Sequence, residues 1–88
     1  MFNVRLGRLS RKFYERADEK LKARLKELFL FLAQNPFPAS QYDLKKIGGE
    51  ESSYRIRLSS YRVLYTVSRD EKVIRVTKIE KKDDHTYD

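Results

Sequence analysis

YRIRLSSYRVLYTV, residues 54–67, is the stretch whose reading decides the fold. Tyr54, Ile56 and Leu58 point one way along an extended chain, and Arg55 and Arg57 point the other. Ser59 and Ser60 supply a turn. A second strand follows, with Val63, Tyr65 and Val67 on one face and Arg62, Leu64 and Thr66 on the other. The β-branched and aromatic content suits a strand better than a helix. If Arg62 shares a face with Arg55 and Arg57, the hairpin presents fixed guanidinium groups to a polyanion.

On the N-terminal side, Phe2, Val4 and Leu6 alternate with Asn3 and Arg5, which reads as a short strand ended by Gly7. Leu9, Phe13, Ala17, Leu21, Leu25, Leu28 and Leu32 then recur three or four apart, a helical stripe that Phe29 and Phe31 widen. Two readings fit. One is a single helix from Leu9 to Gln34. The other, preferred, is a helical hairpin broken near Ala17 to Glu19, with Asp18 capping the second helix, because a short sheet cannot cover a long rod. Asn35-Pro36-Phe37-Pro38 ends the helical region. Tyr42 to Ile47 reads as a short extended or turn segment anchored by Leu44 and Ile47, and Gly48 to Ser53 as a connection. Beyond Val67, a turn at Ser68-Arg69-Asp70-Glu71 leads into a last strand over Lys72 to Ile79. Neither face of that strand is purely apolar, which is read as the mark of a central position.

The expected architecture is therefore α+β in one domain, residues 1–88. It has an N-terminal strand, a two-helix hairpin and a three-stranded antiparallel meander, with the helices packed on one face of the sheet. The pairing of the first strand is left open.

Composition narrows the chemistry. The chain has 88 residues, no cysteine, one histidine and a formal charge of +7. Disulfides and thiolate metal sites are excluded, the carboxylates have no ligand spacing, and no glycine-rich phosphate loop is present. No apolar run is long enough to span a bilayer, and the apolar part of MFNVRLG is too short for a signal peptide, so an intracellular, cytoplasmic protein without membrane contact or small-molecule cofactor is expected. The positive charge points to nucleic acid or to an acidic protein.

Arginine suits phosphate because its fork holds two oxygens at once. In RNA cleavage the 2′-hydroxyl attacks the adjacent phosphorus, and charge grows on the nonbridging oxygens; fixed cations stabilise that charge without a metal. Arg55, Arg57, Arg62 and Lys82 form the electrostatic set. Tyr87 and His85 are candidates for proton transfer or for stacking on a base. Lys45 and Lys46 lie at the rim of the basic face. Tyr54, Tyr61 and Tyr65 read as core and rim aromatics.

These residues resemble the RelE/ParE toxin superfamily of toxin–antitoxin modules, and among its branches the RelE-like proteins. The resemblance is carried by YRIRLSSYRVLY at Tyr54 to Tyr65, LKKIGG at Leu44 to Gly49 and VTKIEKKDDHTY at Val76 to Tyr87. It implies a ribosome-dependent endoribonuclease, an mRNA interferase that cuts messenger RNA in the ribosomal A site and contacts ribosomal RNA. It also implies a cognate RelB-like antitoxin. Under the resemblance Arg55 and Arg57 match two basic residues of the family's strand, Arg62 the arginine of its YR motif, and Tyr87 its late tyrosine. Lys82, or Lys81, takes the place of a late arginine. The sequence departs from the pattern in having arginines where some relatives have lysines, and Glu80 where the family has glycine. ParE-like relatives share the fold and poison DNA gyrase, so a noncatalytic gyrase inhibitor and an inactive antitoxin-binding member are the alternative readings.

Overall fold

In the computed structural model, which describes residues 1–47 and 53–81, Asp18 divides the helical region in two. Its carboxylate accepts a hydrogen bond from the Leu21 amide at 2.8 Å, which satisfies one of the orphan donors at a helix start. Ala17 and Asp18 are both extended, with ψ of 149° and 168°. The hairpin reading is thus the observed one: α1 spans Arg8–Arg16 and α2 spans Glu19–Gln34.

The break also resets the helical phase. Leu21, Leu25, Leu28 and Leu32 are buried as the stripe predicts, but Leu9 is 73% exposed. In α1 the inward positions are Ser10, which is buried, and Phe13 and Tyr14, which are partly so. Gly7 precedes α1 and donates its amide to the Val76 carbonyl at 2.9 Å. A Cβ on Gly7 would stand 3.3 Å from that same oxygen, so the close approach favours glycine.

The strands are β1 Asn3–Leu6, β2 Asp43–Lys46, β3 Ser53–Leu58, β4 Tyr61–Ser68 and β5 Val73–Lys81. They form a five-stranded sheet in the order β1-β5-β4-β3-β2. β1 runs parallel to β5, and every other pair is antiparallel. The short segment before the connection is thus a true strand, β2, and the meander has four members rather than three. Ser59 closes the β3–β4 turn in a left-handed conformation, φ 60°.

A bulge explains the mixed pattern of the last strand. Tyr65 faces Val76 while Leu64 faces Lys78, which leaves Thr77 as the extra residue. Its hydroxyl donates to the Leu64 carbonyl at 3.2 Å. After the bulge the alternation changes phase, so Ile74, Val76 and Ile79 are all buried and Lys78 is exposed. β5 does lie inside the sheet, between β1 and β4. Its interrupted apolar pattern nevertheless comes from the extra residue.

Leu21, Leu25, Leu28 and Leu32 pack with Ile56, Leu58, Val63, Tyr65, Val67, Ile74, Val76 and Ile79 in one core. The proline segment is fastened beneath it. The Tyr65 hydroxyl donates to the Pro36 carbonyl at 2.8 Å. The Tyr54 ring stacks on Tyr65 at 5.8 Å, and Phe37 meets Tyr54 edge-on at 5.1 Å. Burial pushes the Tyr65 phenol well above the usual range, with a smaller contribution from Tyr54. These tyrosines are core and rim aromatics, as their spacing suggests.

Candidate polyanion-binding face

With the helices packed against one side of the sheet, every alternate strand residue projects from the other, the outer face. Cross-strand partners share a face and stand close together. The register therefore lays out the outer face as rows. One row runs Asp43, Arg57, Arg62, Glu80 across β2, β3, β4 and β5. The next runs Lys45, Arg55, Leu64, Lys78. A third carries Ser53, Thr66, Arg75 and, on β1, Arg5.

Arg57 and Arg62 are directly opposed across the hairpin. Like charges in that arrangement repel, and a carboxylate flanks each end of the row. Asp43 places Oδ2 at 3.6 Å from Nη1 of both Arg55 and Arg57. Its backbone oxygen also accepts from Arg55 Nη1 at 3.5 Å. At the other end Glu80 Oε1 accepts from Arg62 Nη2, and Glu80 Oε2 stands 3.3 Å from Lys78 Nζ. The first two rows hold five cations against two carboxylates, so the face stays positive.

Exposure separates the three arginines. The side chain of Arg57 is 40% exposed, that of Arg62 16% and that of Arg55 only 7%. Arg57 is the most exposed of the three and Arg62 is intermediate. Arg55 is buried against β2, where its charge is compensated by Asp43 and where it tethers the edge strand.

Of the residues singled out from the sequence, Arg55, Arg57, Arg62 and Lys45 are brought together on the outer face. Lys46 and Lys81 are not. Lys46 faces Tyr54 and Lys81 faces Tyr61, so both project to the helix side at its margins. Lys82, His85 and Tyr87 lie outside the described residues. Asp43, Lys78, Glu80, Arg75 and Arg5 were not anticipated. The first three become legible only once β2 is recognised as a strand and the Thr77 bulge is counted.

Helices on one face of a mixed sheet and a cluster of guanidinium groups on the other define a small basic α+β domain with a candidate polyanion-binding face. Residues 5–85 match the family described as the ParE toxin of type II toxin–antitoxin systems, parDE, and the chain belongs to this RelE/ParE family. It is 30% identical over 82 residues to toxin RelE1 of Methanocaldococcus jannaschii, covering 93% of this chain and 91% of that protein. Its fold matches the archaeal RelE–RelB complex from Pyrococcus horikoshii with a TM-score of 0.85 at 27% identity, over 94% of this chain and 97% of that one. The isolated Escherichia coli RelE toxin matches with a TM-score of 0.78 at 21% identity, over 94% and 86% of the two chains. Two helices on a five-stranded sheet are thus the RelE architecture.

Proposed function

We propose that this toxin is a metal-independent, ribosome-dependent endoribonuclease that cleaves messenger RNA in the A site. The observation that carries the reading is the opposed Arg57–Arg62 pair on the outer face. Two guanidinium groups on adjacent strands match the nonbridging oxygens of one phosphodiester. In the reaction the 2′-hydroxyl loses its proton and bonds to phosphorus as the P–O5′ bond breaks. The products are a 2′,3′-cyclic phosphate and a 5′-hydroxyl end, the leaving oxygen taking up a proton. Charge on the nonbridging oxygens is greatest midway, where preorganised cations act most strongly.

In this reading Arg57 and Arg62 contact the scissile phosphate, and Arg55 holds β2 and Arg57 in place through Asp43. Lys45 and Lys78 guide the flanking backbone. Lys82 belongs to the same electrostatic set by its charge. Tyr87 and His85 carry protons or stack on a base, and Lys46 and Lys81 contact RNA at the margins. The partner that restrains the toxin is a RelB-like antitoxin; the 27%-identical archaeal homologue was crystallised with RelB. A ribosomal target places the activity in the cytoplasm.

Primer extension on messages mixed with the purified toxin, with and without ribosomes, tests the reading. New 5′ ends within codons, only when ribosomes are present, are the expected result; intact messages in the presence of ribosomes would defeat it. The match to the ParE family favours one second reading, noncatalytic inhibition of DNA gyrase. A supercoiling assay separates the two, because the nuclease leaves gyrase unaffected.

A further inference from the structure

Arg62 carries the proposed chemistry yet stands directly opposite another arginine. A guanidinium on a long, rotatable stem next to a like charge swings away unless something holds it. Glu80 is its in-register neighbour on the other side, on β5. One carboxylate oxygen engages Arg62 Nη2, and the other is held by Lys78 at 3.3 Å. Both oxygens of Glu80 are therefore engaged, and its side chain is only 25% exposed. Lys78, Glu80 and Arg62 form a chain of contacts that runs across the sheet toward the hairpin.

From this geometry, and resting on the nuclease reading above, we infer that Glu80 is a positioning residue that fixes the plane of the Arg62 guanidinium toward the scissile phosphate. A planar fork delivers its hydrogen bonds only when oriented, and a displacement of about 1 Å at a reacting group can cost on the order of 100-fold in rate. The same carboxylate places a negative charge beside the bound phosphate and weakens ground-state binding. Glu80 thus has opposite effects on affinity and turnover. With both oxygens on cations, it is poorly suited to accept the proton of the 2′-hydroxyl.

Two conservative variants of the full-length toxin separate geometry from charge. E80D keeps the charge and withdraws the oxygens by one methylene. E80Q keeps an oxygen acceptor at the same reach and removes the charge. On programmed ribosomes at saturating concentration, E80D is expected to cleave about tenfold more slowly with unchanged apparent affinity. E80Q is expected to bind more tightly and to keep its rate within about threefold of the parent, one neutral acceptor replacing a charged one. Parental turnover in E80D overturns the assignment. So does a loss in E80Q as large as or larger than that in E80D, which would make Glu80 a proton acceptor.

A second readout needs no cleavage. In nitrogen-15 NMR of the ribosome-free toxin, rotation about the Arg62 Cζ–Nη2 bond should be slow in the parent and in E80Q and averaged in E80D. Averaged signals in the parent overturn the positioning role. Slow rotation in the parent and E80Q but not in E80D, with no cleavage by any of them, supports the positioning while rejecting the nuclease reading.

Discussion

Replacing Arg62 with alanine removes one of the opposed guanidinium groups and leaves the apolar face of β4 untouched. The expected outcome is loss of ribosome-dependent cleavage with a native circular dichroism spectrum; an unfolded variant would show that Arg62 is needed for the sheet. Arg55→Ala is of a different kind. It deletes a buried guanidinium that is ion-paired with the Asp43 carboxylate at 3.6 Å and donates to the Asp43 backbone carbonyl at 3.5 Å. Asp43 itself is 58% exposed, so no buried charge is stranded. A loss of about 1 kcal/mol is expected, the net contribution of one hydrogen bond and a partly exposed ion pair, measurable by urea denaturation. Tyr65 gives a pH signature. Its hydroxyl is bonded to Pro36, and burial raises its pKa in the folded chain above the ordinary value of about 10. Up to that pH both states hold the proton and the stabilisation is complete. At higher pH the unfolded chain ionises first, so stability falls as pH rises. Tyr65→Phe should cost about 1 kcal/mol near neutrality for the lost hydrogen bond. It should also show a shallower loss of stability as the pH rises above about 10.

Among the secondary-structure elements, the break between α1 and α2 was readable because Asp18 is a strong helix initiator. Asp18→Ala is expected to cost about 1 kcal/mol in thermal or urea unfolding, with the fold retained. The inward face of α1 was not readable in the same way. Its phase depends on how the chain leaves Ala17 and Asp18, and the apparent continuation of the leucine stripe to Leu9 is a coincidence of spacing. β2 carries only Leu44 as a partly buried apolar residue within Asp43–Lys46, too little for a periodicity. It is a strand because β3 offers it a paired edge and because Asp43 is held by two arginines. The Thr77 bulge hid the true alternation of β5 and, with it, the fact that Lys78 and Glu80 stand on the same face as Arg62.

For the molecule as a whole, a net charge of +7 makes polyanion binding strongly dependent on salt. Each phosphate contact with a single strand contributes a slope of about 0.7 in log affinity against log salt. Arg62→Ala should therefore lower the slope for a short single-stranded RNA by about 0.7. An unchanged slope would place the RNA elsewhere on the surface. The hairpin alternation, the helix cap, the proline stop and the arginines were all local signals, so the sequence by itself determined the α+β class, the two helices and the cationic hairpin. What only the tertiary structure decided were the non-local matters. These are the parallel pairing of β1 with β5, the fifth strand, the burial of Arg55 against Arg57 and Arg62, and the carboxylates bracketing the row. Periodicity reports which way a residue points along its own strand. Which residues become neighbours depends on register between strands distant in sequence, and here one extra residue, Thr77, sets it.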